Sequence, residues 1–136
     1  MVKLIVGVKG TGKTKMLIEM VHDSLETSKG NVVCIEKSNK LRYDINYRCR
    51  LIEAEEYMID DAQSLYGFVA GIIASDHDLT DLYIDSALRI AREDIPSFES
   101  LVLELDRLSD KYGFNVVITA SAAPEKFSEA LHKYFN

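Results

Sequence analysis

The segment Gly7-Val8-Lys9-Gly10-Thr11-Gly12-Lys13-Thr14 constrains the fold of this chain more than any other. Glycines at positions 7, 10 and 12 interrupt both strand and helix, so the segment must be a loop. What flanks it fixes the rest of the unit. Val2 to Val6 is a short, mostly apolar run, as expected of a strand buried on both faces. From Lys13 onward, Met16, Leu17, Met20, Val21 and Leu25 recur at helical spacing, and Lys29-Gly30 is read as the close of that helix. A strand, a glycine turn and a helix in this order demand a second strand alongside, because the helix must bury its apolar stripe on a sheet.

The remaining sequence supplies those strands. Asn31 to Ile35, Leu82 to Ile84 and Val116 to Ile118 are apolar runs of strand length. Between them, Asp60-Asp61 can cap a helix carrying Leu65, Phe68, Val69, Ile72 and Ile73. Pro96-Ser97 opens another, with Phe98, Leu101, Val102, Leu105 and Leu108 on its core face and Gly113 at its end. Pro124 is read as starting a last helix with Phe127, Ala130, Leu131 and Tyr134 on one side. The β-prone pieces Leu41–Ile45 and Arg48–Ile52 are expected to form a hairpin or bent excursion around Asn46, the hairpin having half-buried tyrosines. Alternating strands and helices predict one α/β domain over residues 1–136, a three-layer α/β/α sandwich with a mainly parallel sheet.

The loop also has a chemistry. It fits G-x-x-x-x-G-K-[ST] at every fixed position, the pattern of a phosphate-binding P-loop, and it lies between strand and helix as that loop does. Chance would produce the four fixed positions in about 0.5% of chains this long, before that context is counted. Backbone N–H groups from Gly7 to Lys15 are expected to wrap phosphate, helped by the positive end of the following helix. The expected ligands are ATP and Mg2+: Lys13 meets the β and γ oxygens and Thr14 ligates the metal. Asp85 ends the third apolar run, where a Walker-B carboxylate on the metal side is expected. Glu36, at the end of the second, is the candidate base for water, with Lys37 or Lys40 as its alternative ion-pair partners.

These residues resemble the RecA-like branch of P-loop ATPases. The resemblance rests on the loop, on Ile84-Asp85-Ser86 as an Asp-Ser ending, on Glu36, and on a further strand, Val116 to Thr119, ending in polar Thr119 and Ser121. It implies that this last strand lies beside the P-loop strand and presents a polar sensor. Thr119-Ala120-Ser121 lacks the glutamine sensor of those proteins, and basic DNA-binding loops are not evident. Asn39-Lys40-Leu41-Arg42 lacks the aspartate of the guanine-reading motif, which favours ATP over GTP. The whole chain is also similar to small bacterial P-loop proteins, some labelled twitching-motility ATPases. Pilus-retraction motors themselves are much longer.

Charge and composition narrow the partners. The formal net charge of -6 makes nucleic acid an unlikely partner despite the basic stretch Lys37, Lys40, Arg42, Arg48 and Arg50. No apolar run approaches the ~20 residues of a membrane helix, and the expected location is cytoplasmic. Cys34 and Cys49 lack metal-ligand spacing and are read as reduced thiols. The functions expected are a low-turnover ATPase or ATP-driven switch, a noncatalytic nucleotide-binding interaction module, or a small-molecule kinase. Turnover that needs help implies a homo-oligomer or protein partner supplying an arginine; Arg89 and Arg92 read first as exposed charges and second as such fingers.

Overall fold

Five segments, each with apolar or β-branched residues at its centre, form strands β1 (Val2–Gly7), β2 (Asn31–Glu36), β3 (Arg50–Glu53), β4 (Leu79–Ile84) and β5 (Asn115–Ser121). The structure is a computed structural model that describes all 136 residues. The strands make one sheet in the order β1-β5-β4-β2-β3, and every neighbouring pair is parallel. Parallel neighbours need long crossovers, which the helices α1 (Lys13–Thr27), α2 (Ala62–Ser75), α3 (Ala87–Ile90) and α4 (Ile95–Tyr112) help to provide. A one-turn helix, α5 (Glu129–His132), follows β5.

Successive strand residues point to opposite faces, and both faces are apolar. Val33 and Ile35, Leu82 and Ile84, and Val116 and Ile118 join a core of 30 buried residues with α2 and α4. Val32, Cys34, Tyr83 and Val117 join a core of 10 on the other face, closed by Leu17 and Val21 of α1 and by Leu41, Ile45 and Cys49. The sandwich is therefore unequal, with one long helix and a loop covering the thinner side. The Tyr83 hydroxyl ties α1 to β4 by donating to the Met20 carbonyl at 2.9 Å, and it also bonds Ser24 Oγ.

The expected caps at Asp61 and Gly113 are present. The Asp61 carboxylate accepts the Ser64 N–H at 2.7 Å in a reciprocal capping box, worth about 1 kcal/mol. Asp94 caps α4, and Gly113 ends it at φ 73°, a left-handed conformation that glycine takes without strain. Along the outer edge of β1, Leu4 donates to Tyr134 O at 2.7 Å and accepts from Asn136 N at 2.9 Å, so that edge is covered.

Four expectations change. The segment from Leu41 to Ile52 is a bent excursion and not a hairpin: residues 41–49 form turns, and Arg50–Glu53 pairs in parallel with β2 as an edge strand. Its apolar anchors Leu41, Ile45 and Cys49 recur every fourth residue, so the tyrosines between them face away, Tyr43 being 91% and Tyr47 92% exposed rather than half-buried. Gly30 does not cap α1, which ends at Thr27 with Ser28 as its cap. It is needed for space, since a Cβ there would lie 2.1 Å from the Asp78 carbonyl oxygen. The last segment is a turn of 3-10 helix at Pro124–Lys126 followed by α5, so Phe127, Leu131 and Tyr134 are buried while Ala130 is exposed.

Candidate functional site

The carboxyl ends of β1, β2, β4 and β5 open onto one cleft of about 700 Å³. This is the edge at which parallel α/β sheets place their ligands, because the loops leaving the strands diverge there. Lys9, Gly10, Gly12, Lys13, Thr14 and Lys15 form one wall. Gly10 at φ 87° and Gly12 at φ 83° hold left-handed conformations that turn the chain from β1 into α1. Gly7, Val8 and Thr11 shape the loop from behind. The Val8 carbonyl accepts the Thr11 hydroxyl at 2.8 Å and the Lys13 ammonium at 2.9 Å, and a Cβ on Gly7 would crowd Thr11 Oγ1 at 2.9 Å.

The backbone N–H groups of residues 9 to 15 donate to no protein acceptor, main chain or side chain; the first amide of this stretch with a partner is Met16, bonded to Gly12 O at 3.1 Å. Consecutive free amides at the start of a 15-residue helix are a site for an anion. Lys13 is 8% exposed, more buried than a loop cation is expected to be. Burial pulls its ammonium below the ordinary lysine value, and neighbouring Asp85 restores part of that loss.

Asp85 follows β4 and is held there by its N–H, which donates to Ile35 O at 2.8 Å. Its carboxylate gathers hydroxyls. Thr14 donates to Oδ1 and Oδ2 at 3.1 and 3.2 Å, Thr119 of β5 donates to Oδ1 at 2.7 Å, and Ser86 Oγ reaches Oδ2 at 3.4 Å. The Thr119 oxygen in turn accepts the Ser86 N–H at 2.8 Å. Ser86 is left-handed, at φ 58°. Thr14 and Asp85 are thus adjacent, as a shared metal requires. No group of three or more His, Cys, Asp and Glu side chains is arranged so that it could hold a metal ion. Magnesium held by one or two protein oxygens, with phosphate and water completing its shell, requires none.

Glu36 stands on the opposite wall, 3% exposed. It pairs with neither Lys37 nor Lys40 side chains. Instead Oε1 accepts the backbone N–H of Lys40 at 2.8 Å, and both oxygens accept that of Leu41 at 3.2 Å, while Lys37 pairs with Glu55 at 3.0 Å. Burial raises the carboxyl above its ordinary value and the two amides pull it part of the way back.

Arg89 lines the cleft, whereas Arg92 is held by Asp60 at 3.1 Å and does not. Glu93 was not foreseen. It lines the cleft with no hydrogen bond or ion pair to its side chain, on two successive left-handed residues, Arg92 at φ 59° and Glu93 at φ 60°. The sequence held one faint signal, a short polar Arg-Glu-Asp step between two apolar runs. No family model matches this chain, and a search of curated proteins finds none similar to it.

Proposed function

We propose that the cleft binds a nucleoside triphosphate with magnesium, ATP being the expected ligand, and that the protein is a low-turnover ATPase or ATP-driven switch. The observation that carries this reading is the run of amides from residue 9 to residue 15 without protein acceptors, beside a buried lysine and a Thr14–Asp85 pair. The strand order adds support for a P-loop fold of the RecA-like kind, because β5 lies between β1 and β4 and carries Thr119 to the site.

Each residue then has a task. The loop amides and Lys13 hold phosphate oxygens, which costs little reorganisation because the amides have no protein bonds to break. Thr14 and Asp85 would hold magnesium, which supplies charge neutralisation along the phosphates. Glu36, fixed by two amides and raised toward neutrality, takes a proton from water. A noncatalytic nucleotide-binding module is the second reading, favoured by the amide bonds that already occupy Glu36 and by Ser86, rather than a carboxylate, after Asp85.

Calorimetric titration with Mg-ATP, followed by an assay of phosphate release, tests both. Binding with release supports the ATPase, and binding without release supports the module. Absence of binding rejects the triphosphate site itself.

A further inference from the structure

We infer that this cleft reads the triphosphate and its magnesium but not the base, so that purine and pyrimidine nucleoside triphosphates bind alike; the inference rests on the triphosphate reading proposed above. Sites that recognise a flat heterocycle are walled mainly by apolar and aromatic side chains, with a few polar groups placed among them. Here the proportion is reversed. Leu41 is the one hydrophobic residue among the 17 that line the cleft, it is 4% exposed, and no aromatic joins it.

What the walls offer instead is charge. Lys9, Lys13, Lys15, Lys37, Lys40 and Arg89 face three carboxylates, on a chain whose formal net charge is -6. Lys37 is the one cation of the six engaged in an ion pair. A concentration of cations in a concave site on an acidic body focuses the field on ligands with several negative charges. Every nucleoside triphosphate presents the same charges there.

The exposed rings nearest in sequence, Tyr43 and Tyr47, lie outside the cleft. Were either ring to reach a bound base it would offer stacking, which tolerates any base. Built hydrogen-bonding walls discriminate by about 10⁴-fold or more, and apolar pockets by about 10- to 200-fold. With neither kind present, selectivity among bases falls below about tenfold by the same scale. Which nucleotide occupies the site then follows relative concentration.

The test is calorimetric titration of the full chain, at one ionic strength and with excess magnesium, using ATP, GTP, CTP, UTP and inorganic tripolyphosphate. The four nucleotides are expected within about tenfold of one another and tripolyphosphate within about tenfold of ATP, with Lys13→Ala weakening all five by a similar factor. A nucleotide that binds more than about tenfold tighter than the rest, or tripolyphosphate more than about tenfold weaker than ATP, overturns the inference while leaving the triphosphate site intact. If none of the five binds, the triphosphate reading falls and this inference with it.

Discussion

Asp85 and Glu36 are both buried carboxylates at strand ends on one cleft, yet they are held in opposite ways. Asp85 accepts from the hydroxyls of Thr14, Thr119 and Ser86, each of which can turn about its Cβ–O bond. Glu36 accepts from the main-chain amides of Lys40 and Leu41, which cannot turn without moving the loop. The first arrangement can exchange a proton donor for a metal at little cost. The second fixes a carboxylate in one place and makes the turn after β2 depend on it. Burial alone does not separate a ligand from a brace; the nature of the donors does.

The largest expected effect falls on the loop that both carboxylates face. Lys13→Ala should weaken Mg-ATP binding by about 100-fold or more, since removing one partner of a desolvated charged contact costs several kcal/mol. The melting temperature should stay near that of the wild type, and unchanged affinity by calorimetry would refute the assignment.

Glu36→Gln keeps an oxygen for the two amides but cannot accept a proton from water. Hydrolysis should drop by about 100-fold at unchanged ATP affinity. Glu93→Gln is the control, expected to leave the rate near wild type; if the rate follows Glu93 instead, the unpartnered carboxylate is the base and Glu36 only a brace. Glu36→Ala strips the amides of their acceptor and should lower stability by about 1–3 kcal/mol, read by urea denaturation.

Asp85→Asn should weaken ATP binding by about tenfold in magnesium and much less in EDTA, as expected when a metal-side charge is lost. Equal losses in both conditions would place Asp85 outside the metal's reach. Thr119→Val is subtler, because it removes one donor to Asp85 and the acceptor of the Ser86 amide. The magnesium concentration for half-maximal binding should rise a few-fold, and a purely structural Thr119 would lower stability without moving that midpoint.

The smallest effect is a pH dependence. The Glu36 carboxyl is raised in the fold above its ordinary value of 4.5, so the fold favours its protonated form. Its contribution to stability is full below that value and is lost as pH rises through the raised one. Urea midpoints of wild type relative to Glu36→Gln should therefore decline over that window. A difference that grows with pH would mean that the amides outweigh burial.

The sequence made the loop with Lys13 and Thr14 legible because a local pattern on one strand–turn–helix unit carries them, and Asp85 because it directly follows the apolar run that ends β4. The core faces of α2 and α4 were legible through helical spacing. What escaped depends on contacts between distant segments. The segment 41–53 reads as a hairpin or a bent excursion from its β-prone residues, and only the fold decides, because Leu41, Ile45 and Cys49 plug the thinner core at four-residue intervals and β3 adds to an edge. Helix α3 spans four residues, too few for any period to show, and the left-handed turn after it brings Glu93 to the cleft. The Thr119–Asp85 bond joins residues 34 apart, and nothing local announces it.

The thinner core also contains both cysteines, Cys34 on β2 and Cys49 just before β3. Burial pushes the Cys34 thiol well above its usual range and Cys49 up to about 12, so neither is a thiolate at neutral pH. A thiol reagent can then react only when that layer parts, and the pace of labelling becomes a stopwatch for its opening. The chain carries this stopwatch without any engineered probe, beneath the α1 helix that begins at Lys13. A ligand that clasps the start of α1 would slow its ticking, and the two sulfurs would time the clasp.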